Sequence, residues 1–203
     1  APHAGYAYSG PCAAYGYKEV AERKLPDLFI LLGLSHSGHS SCVSLEDWET
    51  PLGVVKNDLD FSNALIENSS LKQDERAHSQ EHSIEVQFPF LQFITKGELK
   101  IVPIIISNDR PFDELAKNIV KTIKEQNKKV CIIASSDFTH YGINYGYFPF
   151  QSDVKGKLYD LDKKAIENIL KLDSKGFIDY IGKKKYELKT VKNQISYFPI
   201  KKK

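Results

Sequence analysis

Short runs of apolar residues alternate along this chain with longer stretches in which apolar positions recur at helical spacing. The continuous apolar runs are 27–33, 100–107 and 129–135. Runs of this kind are typical of strands that are buried on both faces of a sheet, as parallel strands are. The stretches with helical periodicity, which predict amphipathic helices, are 11–23, 58–67, 111–126 and 154–171. The chain therefore alternates between predicted strands and predicted helices.

Two other parts of the chain give a less regular pattern. Residues 41–43 and 48–50 resemble short strands, and Pro51 and Gly53 are predicted to end the strand pattern after them. Residues 81–95 fit both a helix and a strand, because their apolar positions satisfy both periodicities. We favour a kinked helix there, since a proline inside a helix costs ~3 kcal/mol and interrupts it.

The alternation predicts an α/β fold with a central mixed or parallel sheet and helices on both of its faces. The chain has 203 residues, of which 41% are hydrophobic and 27% charged. This length predicts a single domain over residues 1–203 with a sizeable core. The longest apolar run, residues 28–34, is too short to span a bilayer. The formal net charge of +2 is too small to indicate a nucleic-acid or membrane partner.

The cysteine and methionine counts add two expectations. The 3 cysteines are widely spaced and odd in number, which is typical of a protein in the reduced cytoplasm. The chain contains 0 methionines and begins directly in a loop, so we expect a truncated or processed N-terminus.

Histidines occur in small-residue loops at three places, and these loops carry the candidate chemistry. His3 lies in a Pro-His-Ala-Gly-Tyr segment, His36 follows the strand at 27–33, and His140 follows the strand at 129–135. Ligands bind outside the carboxyl ends of strands in open α/β sheets. We therefore expect the three imidazoles to meet at one sheet edge, where neutral imidazoles would suit iron, zinc or copper.

Further polar residues near these loops have candidate roles. Asp137 is three residues before His140 and could orient that imidazole and raise its basicity. His140 could be a metal ligand or a general acid–base. His39 is a spare candidate close to the second loop. His82 either belongs to a polar loop and helix start, together with His78, or lines the same pocket.

Several segments, taken in order, closely resemble the Memo family, whose members found beside radical SAM proteins are called AmmeMemoRadiSam system protein B. The segments are 1–10, 33–36, 47–53, 81–86 and 135–142. The resemblance implies a fold like that of class III nonheme-iron extradiol dioxygenases. It also implies that His3 and His36 bind a metal, iron(II) or copper. His140, with Asp137 and His82 around it, would then be catalytic.

The resemblance carries expectations about partners and about the chain ends. A small molecule or peptide and proteins of a radical SAM system are the expected partners. The family carries Pro where this chain has Leu34, and a Cys-Gly pair after a Thr-x step where this chain has Thr190, Val191 and then Lys192. We therefore expect the first strand and the C-terminal strands to be missing, with a divergent tail at 183–203. Metal occupancy is expected to be weak, because two histidines alone hold a first-row metal poorly.

Three functions follow as hypotheses. The first is a metal-dependent, dioxygenase-like redox enzyme. The second is a binding module that keeps the fold without catalysis and recognises a small ligand or peptide. The third, a zinc hydrolase, is weaker because the chain has no HExxH motif.

Overall fold

The computed structural model describes residues 1–109 and 111–183, and its centre is a mixed β-sheet. Strand β1 (Leu28–Leu34) lies in the middle, parallel to β6 (Lys100–Ile106) on one side and to β7 (Val130–Ala134) on the other. The remaining strands, which extend the sheet beyond β6, are β2 (Cys42–Val43), β3 (Trp48–Thr50), β4 (Gly53–Asn57) and β5 (Lys72–Gln73). Strand β4 is parallel to β6, whereas β2 is antiparallel to it.

Helices cover both faces of this sheet. They are α1 (Tyr6–Ala21), α2 (Leu59–Asn68), α3 (Glu75–Ser79), α4 (His82–Glu85), α5 (Phe88–Ile94), α6 (Phe112–Gln126), α7 (Val154–Leu170) and α8 (Ser174–Lys183). Among the described residues, none of these helices combines the length and the apolar character that a membrane span requires.

Successive side chains of β1 supply two separate cores, because neighbouring residues of a strand point to opposite faces. Phe29 and Leu31 pack with buried residues of α1, α4 and α5. Leu28, Ile30 and Leu32 pack with buried residues of α2 and α6 on the other face. This arrangement confirms the predicted α/β class, and it explains why the run 27–33 is apolar at nearly every position.

Helix α1 corrects one predicted boundary. The sequence placed its start at Pro11, but the helix begins at Tyr6 and contains Pro11 in its interior. The prediction began the helix at Pro11 because a proline suits the first turn of a helix, where its missing N–H costs no hydrogen bond. Here burial of Ala13 and Tyr17 against the sheet stabilises the helix despite the lost hydrogen bond. Ser9 donates to the Ala4 carbonyl oxygen at 2.8 Å and does not cap a later helix start.

The ambiguous stretch 81–95 is neither one kinked helix nor a strand. It divides into α4 and α5, separated by Val86 and Gln87. Pro89 lies in the first turn of α5, where its missing N–H costs no hydrogen bond. The predicted end of the strand pattern at Gly53 is also wrong, since Gly53, at φ +114°, begins strand β4 of a hairpin with β3.

The carboxyl ends of β1 and β7 lie side by side, as the sequence predicted. Leu32 is opposite Ala134, and the Ser135 N–H donates to the Leu32 carbonyl oxygen at 2.8 Å. The loops after the two strands therefore open on one edge of the sheet. The predicted tail lies outside the described residues beyond Lys183, as does the position where the family's cysteine was expected.

Candidate metal centre

Three histidines meet at this edge of the sheet. The candidate ligand atoms of His3, His36 and His82 all lie within 4.8 Å of one another. The ring centroids are 5.3 Å apart for His3 and His36, 5.6 Å for His3 and His82, and 4.7 Å for His36 and His82. Within residues 1–109 and 111–183, this is the group of histidine, cysteine and acidic side chains that could hold a metal ion. We call it the histidine cluster.

His3 forms the buried floor of the histidine cluster, with only 1% of its surface exposed. Its Nδ1 lies 3.0 Å from Ser135 Oγ, and its backbone N–H donates to Asp137 Oδ1 at 2.7 Å. Its Nε2 is buried and has no hydrogen-bond partner within residues 1–109 and 111–183. Burial lowers the pKa of His3 to about 4, so the ring is neutral at physiological pH.

His36 is held by the buried carboxylate of Glu81, which caps α4. Glu81 accepts hydrogen bonds from His36 Nδ1 at 2.8 Å, from the His36 backbone at 2.8 Å and from the Ser83 backbone at 2.9 Å. Burial by itself would raise the pKa of Glu81, but these bonds outweigh it and lower the pKa to about 2. The same hydrogen bond with Glu81 raises the pKa of His36. Glu81 is therefore ionised and can only accept.

His82 completes the cluster from the first position of α4. Its Nδ1 is 3.6 Å from Glu81 Oε1, beyond hydrogen-bond distance, and its side chain is 52% exposed. The His36 side chain is 34% exposed. The cluster thus has one buried imidazole and two that face solvent, so one side of it is open to solvent.

Asp137 links His140 to the cluster. Its Oδ2 lies 3.8 Å from His3 Nε2 and 3.5 Å from His140 Nε2. The structure therefore brings together the imidazoles that the sequence placed at one edge, with His140 beside the cluster rather than in it. The predicted roles of His140 and Asp137 in catalysis stay predictions.

Two other histidines lie away from the cluster. His39 is not a member, and its Nε2 is 3.5 Å from Gln80 Oε1. His78 is buried in α3 beside Trp48, with ring centroids 6.0 Å apart, and burial lowers its pKa to about 4. The sequence offered a polar loop and helix start for His78 and His82. His82 does begin a helix, α4, whereas His78 is buried in α3 and does not lie in a polar loop.

The sequence did not predict which residues orient the imidazoles. Glu81 directly precedes His82 in the sequence, but its side chain bonds His36, 45 positions earlier in the chain. Ser135 was seen as part of a loop motif, and Gln87 was read as part of an ambiguous helix. A carboxylate directly before a clustered histidine was the one available signal.

A family model described as Memo-like protein matches residues 1–203. This chain belongs to the Memo-like family. It is similar to MEMO1 family proteins of Desulfurococcus amylolyticus (41% identical over 187 residues, 89% of this chain and 62% of the relative) and Sulfurisphaera tokodaii (42% over 190 residues, 90% and 63%). A MEMO1 family protein of Pyrococcus furiosus is 38% identical over 194 residues, which cover 90% of this chain and 66% of the relative.

The Memo-like chain therefore spans less than two thirds of the length of these relatives, between 62% and 66%. Within that span lie all the residues of the histidine cluster, together with Asp137 and His140. A metal ion fits the donor set of the cluster.

Proposed function

We propose that this Memo-like chain is a metal-binding redox protein whose ion, iron(II) or copper, is held by His3, His36 and His82. The observation that supports it is the buried Nε2 of His3, which has no hydrogen-bond partner in the part of the chain that the structure describes. An unpaired buried polar atom costs about 1–3 kcal/mol. A metal ion bound by the three imidazoles would remove that cost.

The donor set suits the proposed ions. Neutral imidazoles bind iron, copper and zinc. The sequence assigned His82 to catalysis beside a two-histidine site, whereas here it supplies the third imidazole that such a site lacks. Three protein ligands leave positions open, and there a bound iron(II) or copper ion would supply redox and Lewis-acid chemistry.

His140 and Asp137 would handle protons beside the ion. Asp137 Oδ2 is 3.5 Å from His140 Nε2, close enough for the carboxylate to orient the His140 ring. His140 is 25% exposed and can therefore meet a substrate. In this proposal His140 gives and takes a proton, and Asp137 holds its ring in place.

Metal titration tests the site directly. Purified protein is titrated under anaerobic conditions with iron(II) and, separately, with copper, and bound metal is quantified after desalting. We expect a single tight ion per chain in the wild type and its loss in His3→Ala, His36→Ala and His82→Ala. His39→Ala is the matched control and keeps the ion. The proposal is wrong if the wild type binds neither metal, or if the three variants bind as it does.

Oxygen uptake tests the redox part. The iron-loaded protein is supplied with a catechol-type substrate, whose ring opening consumes dioxygen and needs no external reductant. We expect His140→Ala to keep the ion and lose the uptake. If the loaded wild type takes up no oxygen above the buffer rate, the redox proposal fails, and the non-catalytic ligand-binding module becomes the favoured alternative. The expected small-molecule, peptide and radical SAM-system partners are proposals on the resemblance alone.

A further inference from the structure

Behind His3, a buried hydrogen-bond network reaches from helix α1 to the loop after β7. Its members are Tyr17, Gln87 and Ser135, and each is buried, at 4%, 0% and 2% exposure respectively. We call these three residues the neutral support of His3. The direction of every hydrogen bond in it can be worked out, because several of its neighbours are groups that only accept.

The orientation of the Gln87 amide comes first. Its Nε2 lies 3.0 Å from the carbonyl oxygen of Pro2 and 3.3 Å from the carbonyl oxygen of Ser83. A carbonyl oxygen only accepts, so the amide NH₂ and not the amide oxygen must lie on this side. Its two protons go to the nearer acceptors, the Pro2 carbonyl oxygen and Ser135 Oγ, each at 3.0 Å. The Oε1 atom then faces the Tyr17 hydroxyl at 2.6 Å, and Tyr17 donates to it. A flipped amide would set oxygen against oxygen at both carbonyls.

The proton on Ser135 is determined next. Ser135 Oγ lies 2.6 Å from the Ser83 carbonyl oxygen, 3.0 Å from Gln87 Nε2 and 3.0 Å from His3 Nδ1. A hydroxyl has one proton, and the Ser83 carbonyl can only accept it. Gln87 already donates to the Ser135 oxygen. The Ser135 hydroxyl therefore has no proton left for His3 and can only accept from it.

From these directions we propose that Ser135, oriented by Gln87 and Tyr17, is a positioning residue that holds His3 in the tautomer with its proton on Nδ1. The lone pair of His3 is then on Nε2, the ring nitrogen that has no hydrogen-bond partner among the described residues. The functional consequence of this tautomer rests on the proposed metal site, because the Nε2 lone pair is the one that a metal would bind. The tautomer itself does not depend on a metal.

The support acts against a competing acceptor. Asp137 Oδ2 is 3.8 Å from His3 Nε2, so a proton on Nε2 would gain the attraction of that carboxylate. Without Ser135 as acceptor, a proton on Nδ1 would be buried without a partner. Removing the hydroxyl therefore moves the His3 proton to Nε2 and blocks the nitrogen that the metal needs.

Long-range proton–nitrogen NMR of the metal-free protein, labelled with ¹⁵N at histidine, measures this tautomer. His3 is assigned by its absence in His3→Gln. We expect the wild type to hold its proton on Nδ1, and Ser135→Ala to shift the majority to Nε2. Ser136→Ala, whose own hydroxyl bonds the Asp137 carbonyl oxygen at 3.0 Å, is the control and keeps the wild-type signal.

Two results would overturn the inference: a wild-type His3 with its proton on Nε2, or a Ser135→Ala variant that keeps it on Nδ1. The wild-type spectrum decides the matter even if the alanine variant does not fold, and Ser135→Thr, which retains the hydroxyl, is expected to keep the Nδ1 proton. In a second arm, Ser135→Ala should bind iron(II) about 10–100-fold more weakly. Failure of metal binding in the wild type with the Nδ1 proton in place would overturn the proposed function and leave this inference standing.

Discussion

His3 and His36 belong to one cluster, yet the chain holds the two rings in different ways. His3 is buried, and its Nδ1 meets the neutral hydroxyl of Ser135. His36 is partly exposed, and its Nδ1 meets the ionised carboxylate of Glu81. Both arrangements place the proton on Nδ1. The difference is in charge, so the two rings should respond in opposite ways to pH and unequally to mutation.

The comparison also shows that the two histidines need different numbers of residues to orient them. A carboxylate holds His36 with a single residue, and it needs no further orientation because it only accepts. The neutral support needs three residues from different elements, since a hydroxyl can point either way until its neighbours determine its direction. A chain that buries one imidazole of a cluster must therefore build more structure behind it.

Removal of the carboxylate should have the largest effect. Glu81→Ala leaves the His36 and Ser83 N–H groups without their acceptor and removes the cap of α4. We expect a loss of about 2–4 kcal/mol in the free energy of unfolding. Chemical denaturation measures it, and Glu85→Ala, an exposed change on the same helix, is the control. Equal stabilities of the two variants would contradict the role given to Glu81.

Gly33 should come second, because it lets α4 approach β1 closely enough to deliver Glu81 and Ser83. A Cβ at Gly33 would lie 2.4 Å from Ile84 Cγ1 and 2.6 Å from Ser83 Oγ. We expect Gly33→Ala to cost about 1–3 kcal/mol. Gly16→Ala in helix α1 meets nothing within 4 Å and should gain stability. A neutral Gly33→Ala would show that the close approach does not matter.

Loss of the Tyr17 hydroxyl is expected to have a smaller effect. Tyr17→Phe leaves Gln87 Oε1 unpaired at 0% exposure, at a cost of about 1–2 kcal/mol. The His3 tautomer should not change, because the Pro2 and Ser83 carbonyls still orient the amide. Chemical denaturation of the variant measures the loss of stability, and NMR shows the His3 tautomer. A changed tautomer would mean that Tyr17, and not the two carbonyls, orients Gln87.

The pH dependence of stability is the smallest of these effects, but it distinguishes His3 from His36 most clearly. Burial lowers the pKa of His3 from 6.5 to about 4, so this ring should stay neutral as the pH falls, while the unfolded chain takes up a proton. His3 therefore makes the protein less stable between pH 6.5 and about 4. The raised pKa of His36 works the other way, since its stabilisation is complete below 6.5 and is lost as the pH rises through the raised value.

Glu81, the hydrogen-bond partner of His36, stops stabilising the protein only at acidic pH. Its pKa is lowered from 4.5 to about 2, so its stabilisation is complete above 4.5 and is lost as the pH falls towards 2. An NMR titration of the metal-free protein should show His36 taking its proton above pH 6.5 and His3 only near pH 4. The reverse order would contradict the comparison.

Much of the frame was predictable from the sequence, because it depends on local pattern. The apolar runs predicted β1, β6 and β7, and the loops after β1 and β7 meet as parallel strands require. Pro11 does not begin its helix as predicted, because burial of Ala13 and Tyr17 stabilises a helix that starts earlier. Gly53 does not end the strand pattern as predicted, because it begins the second strand of a hairpin with the positive φ that glycine adopts readily.

The supports of the histidines could not be predicted in the same way. Ser135 and Gln87 are 48 positions apart, and their meeting depends on how α4 and α5 pack against the sheet. The direction of the Ser135 proton depends further on the Ser83 carbonyl. No spacing in the chain encodes such a contact, whereas the histidines themselves stand out by type and by loop.

X-ray absorption spectroscopy of the iron-loaded protein tests the central claim most directly, because the outer-shell scattering of imidazole rings counts the histidine ligands. The three-histidine site predicts three imidazoles in the wild type and in the control His39→Ala, with nitrogen or oxygen in the remaining positions. A sulfur ligand, or fewer than three imidazoles in the wild type, would contradict it.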